Sequence, residues 1–334
     1  MSRRNVYRES VLGIGYDLVK ACVLQTAFEL WIFEALKDAP KSALVLSEHL
    51  GANRRSLELF LNALVSLGFL ASEGPMYQNT KYGTEIFLKG KPLYIGDMVG
   101  LQTRSAGNWL KLKECVMSGT SVAQPDFSKV DHVEAASGFA RAMHNTAMGH
   151  AEFLSRKLPL ASVRSLLDLG GGPGTFTIHF LHANPGLRAT IFDLPATLQT
   201  TRTFVEQAKL AERVSYQEGD FNCDEIKGMF GACFMSHIIH SQSAELNRAL
   251  LSNVFKHLNP DGRLIVQDFF LNPDRTSPQF PALFALNMLV HTESGQTYTF
   301  DEVAQWMREA GFEEVKSLKF RLPRGIALLT AKKS

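Results

Sequence analysis

The chain is poor in cysteine. Its four cysteines in 334 residues (Cys22, Cys115, Cys223 and Cys233) include no C-x-x-C pair. That excludes a disulfide framework and a cysteine zinc site, and it predicts reduced thiols in a cytoplasmic protein. A charge excess of either sign is also missing. Lys and Arg number 35 against 33 Asp and Glu, a net charge of +2, so the overall balance gives no reason to expect nucleic acid. No uninterrupted apolar run approaches the roughly 18 residues that span a bilayer. Asp17 and Lys20 interrupt the stretch behind the basic start, Arg3-Arg4, which argues against a signal peptide and a membrane partner. Internal repeats and low-complexity tracts are lacking too. What remains is 45% apolar and 20% charged, an ordinary globular composition over a length sufficient for two domains.

The most informative stretch is Leu166-Leu167-Asp168-Leu169-Gly170-Gly171-Gly172-Pro173-Gly174-Thr175. An apolar strand over 163–169 runs into glycines at 170, 172 and 174, and a segment of helical spacing follows. Glycines after a strand let the backbone take positive φ and approach a ligand without a Cβ in the way. The spacing is G-x-G-x-G. A dinucleotide loop reads G-x-G-x-x-G, and Pro173 would remove a donor from a pyrophosphate-holding turn. A ligand without pyrophosphate fits better, and S-adenosylmethionine is the candidate. Asp193 closes a second apolar strand, 189–193, where a carboxylate suits a ribose diol. Gly219-Asp220-Phe221 follows a third, 214–218, where an acid can accept from an adenine amino group while Phe221 covers the ring.

Along the chain, residues 10–37 read as one long helix, with Leu12, Tyr16, Val19, Val23, Ala27, Leu30, Trp31 and Phe33 on its apolar face. Short helices over 44–50 and 55–67 follow, separated by Gly51-Ala52-Asn53. A hairpin turning at Gly74-Pro75 comes next. Helix, turn, helix and hairpin form a winged-helix pattern. Residues 1–100 carry 11 Lys and Arg against 10 Asp and Glu. That is a poor footprint for a phosphate backbone, so this module is expected to mediate protein contact or dimerisation. Residues 101–160 read as a helical connector. From 161 to 334, strands near 163–169, 188–193, 213–218, 232–237 and 262–270 alternate with helices, predicting a parallel sheet covered on both faces. A helix over 300–310 and a hairpin of 312–322 with 326–331 close the chain. The expected class is α/β, with a Rossmann-like methyltransferase sheet behind an N-terminal winged helix.

Here the chain resembles a family, the S-adenosylmethionine-dependent O-methyltransferases typified by caffeic acid and hydroxyindole methyltransferases and their bacterial relatives. The resemblance covers nearly the whole sequence. It rests on Tyr77-Gln78-Asn79-Thr80, the glycine loop, Phe192-Asp193-Leu194-Pro195, Gly219-Asp220-Phe221 and Ser236-His237-Ile238-Ile239-His240. Further along it rests on Leu286-Asn287-Met288-Leu289-Val290, Thr292-Glu293 and Ala310-Gly311-Phe312. The resemblance implies a homodimer through the N-terminal domain and methyl transfer to a hydroxyl of a small aromatic or polyketide-like molecule, without a metal. S-adenosylhomocysteine is the product. It implies that His240 is the general base, that Asp268 orients it, and that Met143 and Met288 clamp a flat acceptor. Asp168, Gly170, Gly172, Asp193, Gly219, Asp220, Phe221 and Ser236 fall at cofactor-contacting positions. Three departures stand out. His240-Ser241-Gln242 replaces the common His-Asp-Trp, Thr297 stands where plant members carry a second acid, and Ser236 replaces a cofactor-contacting lysine.

The chemistry argues the same way. Methyl transfer from a sulfonium needs an aligned and readied nucleophile. A phenol of pKa about 10 is neutral near pH 7, and a histidine near 6.5 can take its proton. His144, Asn287 and His291 flank the two methionines and are candidates to line the acceptor pocket, with Trp109, Phe139 and Phe284 as further lining. His237 lies three residues before His240, so a slip in alternation would exchange their exposure. Three alternatives stay open. The scaffold can methylate carbon or nitrogen or run non-methylating chemistry, it can be a cofactor-sensing regulator, or it can be a nicotinamide oxidoreductase, which conflicts with the glycine spacing.

Overall fold

The computed structural model describes residues 3–122 and 132–334. The chain divides into two compact units, residues 1–106 and 107–334.

In the first unit, the helix expected over 10–37 is two helices, Arg3–Glu29 and Ile32–Ala35. Trp31 breaks it with a left-handed backbone, φ 55°. The break drives Ile32 and Phe33 into the core, where Phe33 stacks on Phe87 at 4.3 Å between ring centroids. Apolar periodicity continues on both sides of Trp31, so the sequence pattern does not register the break. The helix–turn–helix is as read. Ser42 caps Ala43–Leu50, Gly51 ends it at φ 62°, and the Asn53 side chain accepts from Ser56 N–H to open Arg54–Ser66. A two-residue strand β1 (Lys41–Ser42) joins the hairpin of β2 (Leu70–Glu73) and β3 (Met76–Asn79) in the order β1-β3-β2. The long first helix keeps Tyr7, Ile14, Tyr16 and Leu18 exposed. It is also long and apolar enough to cross a membrane by length and composition. No unbroken apolar run marks it in the sequence, because Asp17 and Lys20, which pair at 2.9 Å, interrupt the run.

The second unit is built on a mixed sheet. Its strands are β4 (Ser165–Leu169), β5 (Arg188–Asp193), β6 (Val214–Glu218), β7 (Phe230–Ser236), β8 (Leu258–Leu271), β9 (Tyr298–Thr299), β10 (Glu313–Leu318) and β11 (Ile326–Lys332). The order is β10-β11-β8-β7-β4-β5-β6, with β9 on the end of β8. β4 to β8 are parallel, and β11 is antiparallel to β8 and β10. The strand β9 was not foreseen. β10 is shorter than the 312–322 expected, and β8 starts before 262, with a register shift against β7 between Phe230 and Ala232.

Alternation divides the sheet's side chains between two cores. Leu166, Ile191, Phe234 and Ile265 pack with Leu154, Phe176, Phe180, Leu198 and Val205 from the helices His132–Lys157, Thr175–Ala183 and Pro195–Gln207. Leu167, Cys233, Met235 and Val266 point the other way, to Leu250, Val254, Val303 and Trp306 of the helices Ala244–Lys256 and Phe300–Glu309. Both faces are therefore dry, and polar groups collect at the strand ends. Phe234 is fully buried, its ring 5.1 Å from that of Phe176 and 5.0 Å from that of Phe180. Phe234→Ala is expected to cost about 3–5 kcal/mol, read as a lowered midpoint in chemical denaturation.

Candidate active site

The glycine loop leaves β4 at its carboxyl end and runs into the helix Thr175–Ala183. Gly170 (φ 64°) donates its N–H to Phe192 O, and Gly172 (φ 53°) donates to Asp193 Oδ2 at 2.8 Å. A Cβ on Gly170 would stand 2.3 Å from Ile238 Cδ1 and 3.3 Å from the Phe221 ring. On Gly172 it would meet nothing within 4 Å, so the loop there borders open space. The loop is braced from below. Thr201 of the helix Pro195–Gln207 donates to Gly172 O, and Asp168 accepts from Thr177 Oγ1 at 2.6 Å. Gly171 sits over that acid, since a Cβ on it would come 2.8 Å from Asp168 Cγ. Asp168 is thus a buried brace beneath the loop. Burial pushes its carboxyl up to about 7, the Thr177 bond opposes the shift, and neighbouring Asp193 adds to it.

Asp193 is buried at the end of β5. Burial raises its pKa, while the Gly172 and Leu194 N–H groups bonded to it work in the opposite direction. Each carboxylate oxygen has two lone pairs, so Asp193 keeps capacity to accept from a diol. Asp220 is tied into its own turn, accepting from Asn222 N–H and donating its N–H to Asp224. Phe221 is partly buried against the loop side of the core. The donor set and the open edge at Gly172 fit an adenosyl group: acceptors for hydroxyls, an aromatic face, and a backbone that a ligand can approach.

The second cluster lies where β7 ends. His240, in the 3-10 turn Ile239–Ser241, is 8% exposed. Its ring Nδ1 is 2.6 Å from Asp268 Oδ1, and its backbone N–H donates to Asp268 Oδ2 at 3.2 Å. Asp268 is 1% exposed and also accepts from Phe269 N–H. Burial opposes its ionisation. The His240 imidazole bonded to it, with the His237 ring nearby, nonetheless holds its carboxyl well below the usual carboxylate range. A carboxylate can only accept, so His240 carries its proton on Nδ1 and leaves the Nε2 lone pair available. The Phe284 ring stands edge-on at 4.9 Å from the His240 ring and Phe269 lies at 6.0 Å. His237, His240 and Asp268 bring their donor atoms within 4.8 Å of one another. Two donors of one zinc ion stand roughly 3.3 Å apart, whereas the His240–Asp268 separation is that of a hydrogen bond, so the cluster fits a bonded dyad better than a metal centre.

Other expected site residues take specific places. Ser236 accepts from Gln267 Nε2 at 3.0 Å. His144 bonds Thr175 Oγ1 at 2.8 Å and stacks on Phe204, which sets it beside the start of the loop helix. Met143 is half-buried on the same helix as His144. On the helix Gln279–His291, Met288 is buried. His291 donates Nδ1–H to Asn287 O, leaving a buried Nε2 without a partner among the described residues, and its ring is 6.0 Å from Trp109. Thr297 spends its hydroxyl on Pro281 O. Sequence reasoning missed Gln267 and His150, whose side chains meet at 3.3 Å, and the bracing threonines 177 and 201. These are common residue types inside strands and helices and carry no motif signal.

The fold and the carboxyl-edge arrangement define a Rossmann-like methyltransferase. A family profile described as an O-methyltransferase domain matches residues 119–313, and one described as an O-methyltransferase dimerisation domain matches 16–89. The tetracenomycin polyketide synthesis 8-O-methyl transferase TcmO of Streptomyces glaucescens is 31% identical over 312 residues, covering 91% of each chain. The 3-hydroxy-5-methyl-1-naphthoate 3-O-methyltransferase of Streptomyces sahachiroi is 29% identical over 310 residues, 92% of this chain and 90% of the relative. The structure of human N-acetylserotonin methyltransferase in complex with SAM superposes with a TM-score of 0.88 at 22% identity, covering 100% of this chain and 99% of that one. The chain belongs to the O-methyltransferase family and is an S-adenosylmethionine-dependent methyltransferase with a dimerisation domain.

Because the folded-state pKa of Asp168 is raised, its protonated form belongs to the native state. Its contribution is whole below about pH 4 and is lost as pH rises through about 7. Asp168→Asn keeps the shape of the protonated acid. Without cofactor it should gain stability relative to wild type as pH rises from about 4 to about 7. Urea midpoints across that range check this, and parallel curves would refute it.

Proposed function

We propose that this enzyme methylates a hydroxyl of a flat phenolic or enolic metabolite, with His240 as general base and Asp268 as its orienting acid. The observation that carries the reading is the His240–Asp268 pair, fixed through both carboxylate oxygens at the carboxyl edge of the sheet and flanked by Phe269 and Phe284. Bound S-adenosylmethionine supplies a methyl already activated on a sulfonium. The protein's task is then alignment and proton removal. Nε2 of His240 accepts the hydroxyl proton, and Asp268 stabilises the imidazolium so formed.

On this reading Asp193 accepts from the ribose hydroxyls, and Asp220 and Phe221 serve the adenine. Gly170, Gly172 and Gly219 give the ligand access to backbone, with Ser236 near the methyl donor. Asp168 contributes by holding the loop's shape. Met143, His144, Asn287, Met288 and His291, from the helices His132–Lys157 and Gln279–His291, line the acceptor site. The hydroxynaphthoate and the tetracenomycin polyketide named for these two bacterial relatives favour an aromatic polyketide-like acceptor. Dimerisation through the N-terminal domain would cover the exposed apolar side chains of the helix Arg3–Glu29. The four free thiols suit a reducing cytoplasm.

Calorimetric titration with S-adenosylmethionine and S-adenosylhomocysteine, followed by a labelled-methyl screen of phenols, enols and amines, tests this reading. Label on oxygen supports it, and label on nitrogen or carbon redirects it. His240→Ala should keep cofactor affinity and lose about 10²–10⁴-fold in turnover; equal loss of both would remove the base assignment. Asp193→Ala should raise the dissociation constant for S-adenosylmethionine, and an unchanged constant would mean that another group holds the ribose.

A further inference from the structure

His237 is held in an unusual way for a residue with no assigned role. Its backbone is left-handed, φ 60°, a conformation that a non-glycine side chain adopts at a cost. Its N–H nevertheless extends the β7–β8 ladder by donating to Gln267 O at 2.8 Å. The ring lies 4.6 Å from Phe269 and 5.7 Å from His240, centroid to centroid. Nδ1 is buried, has no hydrogen-bond partner among the described residues, and lies 3.8 Å from Asp268 Oδ1, the oxygen that His240 uses. Nε2 lies 3.4 Å from Gln267 Nε2.

An amide NH2 group can only donate, and the two hydrogens of Gln267 face Ser236, His150 and, at the longest of the three distances, His237 Nε2. The ionised Asp268 can only accept, so a bond to it needs the proton on Nδ1. A proton on Nδ1 faces the carboxylate and leaves Nε2 toward the amide. The groups that face it are Asp268 and Gln267 from β8, His240 from its own strand end, and His150 from the helix His132–Lys157. His150 is held neutral, pushed down to about 4 by burial and then by His237, so it adds no charge near pH 7.

We propose that His237 is a positioning residue for the base, acting through Asp268: its Nδ1–H shares the carboxylate with His240 and so sets both the place of Asp268 and the basicity of His240. This inference rests on the reading of His240 as the base. With the second donor gone, Asp268 would give all its charge to His240 and make that imidazole more basic. Replacing the donor by a further carboxylate would do so more strongly.

Three substitutions suit the left-handed backbone and so keep the loop intact. His237→Gly removes the side chain, His237→Asn keeps a donor near the Nδ1 position, and His237→Asp is its isostere with an acceptor. The measurement is an imidazole NMR titration of His240 in 15N-histidine-labelled protein saturated with S-adenosylhomocysteine, the His240 signal being assigned by its loss in His240→Ala. It needs no methyl acceptor. His237→Gly is expected to raise the His240 midpoint by about half to one unit. His237→Asp should raise it further, and His237→Asn should restore it. Coincident titrations in the wild type and all three variants would overturn the proposal, as would a shift of equal size in all three variants. Turnover of His240→Ala in the labelled-methyl assay separates the two levels. If that variant works at the wild-type rate, the base reading fails and the role of His237 fails with it. If it is inactive while the three titrations coincide, the role of His237 alone fails.

Discussion

A carboxylate with 1% of its surface exposed survives in a folded protein only if its lone pairs are occupied, and Asp268 meets that condition at one seam of the sheet. One oxygen takes the His240 backbone N–H. The other takes the His240 ring and the Phe269 N–H, with the His237 ring beside it. The seam exists because β7 and β8 run parallel with Ser236 opposite Gln267. That register sets Asp268 one residue beyond the last paired position of β7, level with the turn that carries the two histidines. Alternation sends Gln267 away from Asp268, to the side where His150 and Ser236 meet it. The proposed base, His240, is thus held by the same contacts that allow a charge to stay inside the core.

The glycine loop follows the same logic with a different carboxylate. Asp193 clasps Gly172 from β5, Asp168 and Thr177 support the loop from β4 and its helix, and Thr201 holds the Gly172 carbonyl. The two clusters touch through an apolar contact. Gly170 has room for no side chain because Ile238, between the two histidines in sequence, stands against it. The glycine loop and the turn that carries His240 are packed on each other, so a change in the loop reaches His240 through Ile238.

The N-terminal unit has its own core, in which Phe28, Phe33 and Phe87 meet edge-on or stacked. Its first helix leaves large apolar side chains in solvent, the surface expected of a module whose family profile is a dimerisation domain.

Much of this was legible in the sequence because it is written in local terms. Glycine spacing, an acid at the end of each apolar run, and strand–helix alternation identified the parallel sheet, its loop and Asp193. They did so because backbone conformation and burial impose those patterns residue by residue. The turn at Trp31 escaped, since tertiary packing of Ile32 and Phe33 drives it while the periodicity runs on. Two-residue β9 and the bulged start of β8 escaped because pairing, not propensity, makes them strands. Sequence alone determined the class of enzyme and named His240 and Asp268 through a resemblance. Only the tertiary structure decided that one carboxylate lies against two histidines, that Asp168 lies under the loop, and that Gln267 and His150 belong to the cluster. Those facts depend on the register between β7 and β8 and on a helix more than a hundred residues away in sequence, and no local pattern encodes them.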